Sequence, residues 1–321
     1  MITFSNGHKF KFMTASGALA FDGRGWPWEW PLRWVGLLDP RLFTIVTKTL
    51  TRSPRRGNLS WSHPWSVVKT LRGGGVVNAI GLTNPGIAWW MEKVAPKMPE
   101  TYRIIPSIEA NDERETADMI QLLEGATFIR GIELNLSCPN TKEHADRTTE
   151  KIVAICRHAA KISQVPLIAK LSYTHDYVAI AKELDQMGGI GGRAVSSPDL
   201  SRGSGSAGPR RIEALSINSI PWAAIHPNRP SPLAKFGGGG ISGRVVQDYT
   251  WDMVEELSIA SKIPVIGPSV WDYEDIRRVT DKGAKAISFG SVFVRYPWRP
   301  TLFVRRWIRE NVSSRASAIR S

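Results

Sequence analysis

The stretch Gly131-Ile-Glu-Leu-Asn-Leu-Ser-Cys-Pro-Asn140 decides how this chain is read. Gly131 to Ser137 has the makings of a β-strand, and Cys138-Pro139-Asn140 breaks it into a polar loop. A thiol at a strand end, flanked by the amides of Asn135 and Asn140, has the look of an acid/base group among hydrogen-bonding side chains. A lone cysteine is more often a packed core residue. The crowding of Asn135, Ser137 and Asn140 around Cys138 reverses that balance. The second cysteine, Cys156, lies on the apolar face of a helix pattern and is read as core.

Working outward, seven further β-like runs surround this one: Lys11–Ser16, Thr44–Lys48, Tyr102–Ile108, Pro166–Leu171, Glu213–Asn218, Pro264–Gly267 and Ala286–Gly290. Helical patterns fill many of the gaps, at Thr116–Leu123, Thr149–Ile162, Tyr177–Met187, Thr250–Ser261 and Tyr273–Lys282. Eight strands separated by helices or long connections predict an α/β fold, a single-domain (β/α)8 TIM barrel over residues 1–294. A doubly wound sheet is the alternative, but no glycine-rich dinucleotide fingerprint follows the first strand. In a barrel the chemistry belongs at the C-terminal strand ends. Ser16-Gly17, Lys48, Asn135 to Asn140, Lys170, Asn218, Gly267-Pro-Ser269 and Gly290-Ser291 all fall there.

Two segments break the rhythm. Phe21–Leu38 is rich in Trp, Pro, Gly and Arg, and its tryptophans read as packed loop anchors. Met187–Arg211, rich in Gly, Ser and Arg, reads as a flexible insertion on the barrel face. Residues 295–321 carry seven arginines against one acidic residue, Glu310, and predict a basic helix, with Leu302, Phe303, Trp307 and Ile308 apolar, followed by a tail.

The chain has 321 residues, 42% hydrophobic and 22% charged, as an ordinary globular protein does. Two cysteines make no disulfide framework, no apolar run approaches a membrane span, and the first residues lack a signal-peptide core, so a cytoplasmic protein is expected. The net charge of +13 suits an anionic ligand, a nucleic acid or simply a solvated basic surface.

Other residues add chemistry. Val76 to Gly86 forms a Gly/Pro-shaped loop offering Asn78 and Asn84, whose amides suit a pyrimidine or amide edge. Lys48 and Lys170 interrupt apolar strands and must find a partner or water. Phe236 to Gly243, Gly267-Pro-Ser269 and Gly290-Ser291 are candidate backbone cradles for phosphate.

Taken together, Asn135-Leu-Ser-Cys-Pro-Asn140 and Asn78-Ala-Ile-Gly-Leu-Thr-Asn-Pro-Gly86 resemble the soluble, cysteine-using class of dihydroorotate dehydrogenases. Thr14-Ala-Ser-Gly17, Lys48, Arg55-Arg-Gly-Asn58, Lys170, Asn218-Ser-Ile220 and Gly237 to Gly243 follow in the family's order, so the resemblance runs from about Phe12 to Phe293. It implies a (β/α)8 barrel holding FMN and oxidising dihydroorotate to orotate in de novo pyrimidine (UMP) biosynthesis. Cys138 would be the base at C5, with hydride passing from C6 to N5 of FMN. Asn78, Asn135, Asn140 and Asn218, with backbone at Ile80, Gly81 and Leu82, would hold the substrate. Lys48 would serve substrate and flavin, Lys170 would stabilise the reduced flavin, and Asn135 would touch both ligands. Ala15, Ser16, Gly243, Ser269, Gly290 and Ser291 would line the FMN, with phosphate near the last three. No metal is implied. The electron acceptor would be fumarate or a partner electron-transfer subunit, and the family's habit implies a homodimer.

The chain departs from the family at Ser269-Val270, where a Gly-Gly pair is usual, and in the Met187–Arg211 insertion. Two other functions compete. One is a flavin-dependent reductase of another dihydropyrimidine, including a tRNA dihydrouridine synthase-like activity. The other is a non-enzymatic basic scaffold, which would have no need for Asn78, Cys138, Asn140 and Lys170 together.

Overall fold

The computed structural model describes residues 1–60, 62–136, 148–189 and 211–318. Within them eight strands run in chain order: β1 (Phe12–Thr14), β2 (Thr44–Val46), β3 (Arg103–Ile105, resuming at Ser107–Glu109), β4 (Ile132–Asn135), β5 (Leu167–Leu171), β6 (Ile212–Ile217), β7 (Ile266–Gly267) and β8 (Ala286–Phe289). Every neighbouring pair is parallel: Val46 opposes Ile105, Ser107 opposes Glu133, Lys170 opposes Asn135 and Ser216. The β6–β7 seam rests on one bridge, Leu215 to Val265, and on Leu215 N–H donating to the Pro264 carbonyl at 3.0 Å. Ile287 opposes Phe12, so β8 returns to β1 and the ring closes as a (β/α)8 barrel. β3 is interrupted at Pro106, which has no N–H to give, but its carbonyl still accepts from Glu133 N–H at 2.9 Å.

Because side chains alternate across each strand, every second residue points into the barrel. The lowest interior layer is apolar: Met13, Val46, Ile105, Ile168, Ala214, Ile266 and Ala286 pack together. An N-terminal hairpin, Ile2–Thr3 with Lys9–Phe10, closes this floor by inserting Ile2, Phe4 and Phe10. One step up, at Ser107, Glu133, Lys170 and Ser216, the interior turns polar.

The outer helices follow from their caps and stripes. In α1 (Glu113–Glu124) Asp112 accepts the Glu115 N–H at 2.8 Å and Met119, Ile120 and Leu123 are buried. In α2 (Thr149–Ile162) Ile152, Ile155, Cys156 and Ala159 form the buried stripe, and burial pushes the Cys156 thiol up to about 12. α3 (Tyr177–Gly189), α4 (Gln247–Ala260) and α5 (Asp275–Asp281) complete the predicted series. The basic segment forms α6 (Arg299–Ala318). Its packed face is Phe303, Val304 and Trp307, with Trp307 edge-on to Phe12, whereas Leu302 and Ile308 are exposed. The expected stripe of Leu302 and Ile308 therefore turns outward. The predicted insertion falls mostly on 190–210, outside the described residues.

A small antiparallel sheet covers the barrel mouth. Its order is Ile220–Pro221, Gly240–Gly243, Gly75–Asn78 and Val68–Leu71. It has its own apolar core of Val77, Ala79, Ile220, Trp222, Leu233, Ile241 and Val246. The glycine run before Ile241 serves this sheet. Gly240 opposes Asn78, and at Gly239 (φ +82°) an added Cβ would lie 2.5 Å from the Asn78 carbonyl oxygen.

Candidate active site

A cleft of about 270 Å3 opens between the C-terminal ends of the barrel strands and the covering sheet. From β1 and the turn after it come Ala15, Ser16 and Gly17; beyond β2 come Lys48 and Thr49; β4 and β5 give Asn135 and Lys170. Asn218 follows β6, Pro268 and Ser269 follow β7, and Gly290 and Ser291 follow β8. The covering sheet and its loop add Asn78, Ile80, Gly81, Leu82, Ile241 and Ser242. Residues spread over most of the chain thus meet at one mouth, as the barrel reading requires.

Two of these side chains are cationic and buried. Lys48 is 6% exposed and its stem packs beside Gly17. Lys170 is 8% exposed, and its Nζ stands 3.4 Å from Glu133 Oε1. Glu133, in the same polar layer on β4, also accepts from Ser107 Oγ at 2.9 Å and Ser216 Oγ at 3.2 Å. A buried carboxylate needs such partners, and here they also fix the ammonium beside it. A second buried carboxylate, Glu109, pairs with Arg55 at 3.2 Å and ties the loop after β2 to the barrel. Asn135 donates to Thr49 Oγ1 at 3.1 Å, and Thr49 in turn meets Ser16 Oγ at 2.9 Å and Ser107 Oγ at 3.0 Å. The side-chain Oδ1 of Asn218 accepts from Ser219 N–H at 2.8 Å.

Asn84 is occupied otherwise than its sequence neighbourhood suggests. It is buried, its Oδ1 accepts from Thr51 N–H and Gly86 N–H, and its amide donates to Thr51 Oγ1 and the Leu82 carbonyl. It shapes the loop rather than facing the cleft. Leu82 and Ser269 line the cleft at positive φ, +57° and +64°. Such backbone is uncommon for residues other than glycine and needs a surrounding structure to hold it. At Ser269, Thr250 Oγ1 donates to its Oγ at 3.0 Å and Gln247 Nε2 to its carbonyl at 2.9 Å. The serine thus takes up the left-handed turn for which a glycine is the usual choice.

Gly243 does not line the cleft. An added Cβ there would meet Gly75 Cα and Ser291 Oγ at 2.9 Å each, so it sits tightly behind Ser291. Cys138 and Asn140 lie outside the described residues; strand β4 leads directly into them.

The cleft also holds residues that the sequence reading did not place there, among them tryptophans it took for packed loop anchors. Trp26 and Trp28 stack almost parallel, 5.5 Å apart, and Trp28 meets Trp65 at 5.1 Å; all three line the outer wall. Beside them is Glu29, 3% exposed, with Oε2 accepting Trp26 N–H at 2.8 Å. Burial pushes its carboxyl up to about 7, against the smaller opposing effect of that hydrogen bond. The short-range pattern around Glu29 held no sign of this, since its burial depends on how the loop folds over it.

Known proteins point the same way. The profile of the family described as "Dihydroorotate dehydrogenase" matches residues 35–296. The chain belongs to the dihydroorotate dehydrogenase family. Among its relatives is the "Dihydroorotate dehydrogenase B (NAD(+)), catalytic subunit" of Thermoanaerobacter pseudethanolicus, 32% identical over 87% of this chain and 82% of the relative. The protein of the same description from Geobacillus kaustophilus is 30% identical over 88% and 81%. The "Dihydroorotate dehydrogenase A (fumarate)" of Lacticaseibacillus paracasei is 30% identical over 88% of each chain. Membership in the dihydroorotate dehydrogenase family accounts for the barrel and for a cleft at its C-terminal mouth.

Proposed function

We propose that this chain is an FMN-dependent dihydroorotate dehydrogenase that forms orotate in pyrimidine biosynthesis. The observation that carries the reading is the convergence of Lys48, Asn78, Asn135, Lys170 and Asn218 on one cleft in a protein of this family. Buried ammonium groups attract an anionic substrate, and primary amides can both donate to and accept from the edge of its ring.

The residues present fit a flavin. Ala15, Ser16, Ser269, Gly290 and Ser291 form one wall, and a Cβ at Gly290 would come within 3.0 Å of Ala15 Cβ, so glycine keeps that wall open. We assign the phosphate to the backbone around Ser269, Gly290 and Ser291, and the ring to the side near Lys48, Asn135 and Lys170. When bound, FMN supplies the two-electron acceptor for the oxidation.

The chain's own part is to bind, orient and deprotonate. Asn78, Asn135, Asn140 and Asn218, with the backbone at Ile80, Gly81 and Leu82, fix the ring and carboxylate. Cys138, carried on the segment that follows β4, removes the proton from C5. An ordinary thiol has a pKa near about 8.5, so nearby positive charge favours the working thiolate. Lys48 provides that charge and holds it out of bulk water. Glu133 anchors the Lys170 ammonium at the edge of the cleft.

Electrons then leave to fumarate, as in the name of one relative, or to a partner electron-transfer subunit, in line with the relatives named as NAD(+)-type catalytic subunits. Among the described residues no helix is long and apolar enough to cross a membrane, in keeping with a cytoplasmic enzyme. Anaerobic addition of dihydroorotate to the yellow protein should bleach its flavin, and reoxidation with fumarate should restore it if fumarate is the acceptor. A flavin-loaded protein indifferent to dihydroorotate would refute the assignment. Cys138→Ser should slow flavin reduction by about 100-fold or more near neutral pH and move its pH dependence upward; an unchanged profile would remove Cys138 from the role of base.

A further inference from the structure

A second groove, sharing no lining residue with the cleft, lies at the turn of the Val68–Leu71/Gly75–Asn78 hairpin. Arg72, Gly74, Arg244, Trp271, Arg295 and Tyr296 define it. Arg244 and Arg299 share one carboxylate, Asp272, the latter at 3.1 Å. Arg72 and Arg295 have no carboxylate within ion-pair distance among the described residues. Among the described residues these four guanidiniums are thus matched by one carboxylate, which pairs with two of them. Two of them, Arg295 and Arg299, lie 5.4 and 4.2 Å from the centre of the Tyr296 ring, which restricts how they can turn.

Trp271 separates this groove from an ordinary basic surface. Its side chain packs into the core with the residue only 5% exposed, yet its indole N–H has no acceptor among the described residues. That N–H faces the hairpin turn. A Cβ added at Gly74 (φ +96°) would come 3.0 Å from Trp271 Nε1, so glycine keeps the space before the donor clear. A donor on an otherwise buried ring, open only to the groove and flanked by guanidiniums without a carboxylate, calls for an oxyanion. Guanidinium forks match phosphate oxygens, and a neutral N–H adds direction without charge.

We propose that this groove is a binding site for a phosphate dianion, free or as the terminal group of a phosphate ester, held by Arg72, Arg244 and Arg295 with the Trp271 N–H as its neutral donor. The site is separate from the flavin phosphate position and does not depend on the assigned activity.

Calorimetric titration of the full-length protein with inorganic phosphate, AMP and adenosine tests this, against potassium chloride of matched ionic strength. Saturable one-to-one binding of phosphate or AMP is expected, with none for adenosine. Tighter binding of AMP identifies the ester as the ligand class, and tighter binding of phosphate the free ion. Arg72→Gln/Arg295→Gln, both surface changes outside the catalytic cleft, should weaken binding at least tenfold while melting temperature without phosphate and flavin content stay as in the parent. Trp271→Phe, which keeps the ring and loses only the donor, should weaken it severalfold. Heats that match the chloride control, or binding unchanged in either variant, would overturn the proposal.

Discussion

Glu29→Gln should make this protein more stable in mild alkali and leave it unchanged in acid. The parent carboxyl has an ordinary value of 4.5 and is pushed up to about 7 by burial beside Trp26. Between those values the folded state holds a proton that the unfolded chain has lost. Stability therefore falls as pH rises from 4.5 through 7, and above that the fold carries the full cost of a buried carboxylate. A shift of that size corresponds to about 3 kcal/mol, of which about 2.5 kcal/mol develops between roughly pH 5 and roughly pH 8. Glutamine is close in shape, keeps an oxygen to accept Trp26 N–H, and never ionises. With an unfolding entropy of about 2.1 cal/mol/K per residue, 3 kcal/mol over a chain of this length is about 4 °C in melting temperature. Thermal melts of parent and variant should coincide near pH 4.5 and separate by that amount, variant above parent, near pH 8. Equal melting temperatures across the range would show that Glu29 is solvated or paired in solution, and the reasoning from burial would fail.

The opposite slope is expected from His8, whose imidazole is lowered from 6.5 to about 4 by burial, with Arg103 and Arg130 adding to the effect. It is neutral in the fold, so stability is lost as pH falls from 6.5 towards 4; His8→Phe should flatten the acid limb of the melting curve, which in the parent is partly masked by Glu29. Lys170→Met would strand Glu133 as an unpaired buried charge and should cost about 3–5 kcal/mol in denaturant melts. Adding Glu133→Gln should recover most of that stability but not flavin reduction by dihydroorotate. Gly239→Ala places a methyl group 2.5 Å from the Asn78 carbonyl in a left-handed residue, and should lower stability by about 2 kcal/mol and raise KM more than it lowers kcat. Wild-type kinetics in that variant would mean the covering sheet does not set the position of Asn78.

The barrel was legible because each strand carries its own signal. Ile132–Asn135 ends in a polar residue and Leu167–Leu171 carries Lys170 next to its end, and the loops that follow break both runs clearly. Lys48 and Lys170 stood out because a lysine inside such a run has to be explained by what it meets. The covering sheet left no comparable trace. Its strands are two to four residues long, and Ile220–Pro221 and Gly240–Gly243 contain proline and glycine, which locally argue against strand. Ile220–Pro221 pairs with Gly240–Gly243, which in turn pairs with Gly75–Asn78, a segment far away in sequence. Hence Phe236 to Gly243 resembled a phosphate loop, though most of its glycines serve close strand packing. Asn84 resembled a ligand because its bonds to Thr51 depend on a loop closing back on itself. Glu29 and the groove at Trp271 were invisible for the same reason, since each is defined by how the chain folds around it.

The floor of the barrel has a consequence for how the chain is made. The hairpin at Ile2–Phe10 precedes every barrel strand in chain order, so its partners are made only after it, with Ala214, Ile266 and Ala286 among the last. Ser5 must wait for Glu213, to which it gives both its N–H and its hydroxyl, at 2.7 and 2.5 Å. β1 waits longer still, for Ile287. Phe4 and Phe10, stacked edge to face at 5.2 Å, are therefore a greasy pair without a home for most of translation. A nascent chain arrested before β8 should bind holdase chaperones through this N-terminal pair, and release should coincide with emergence of residues 286–289.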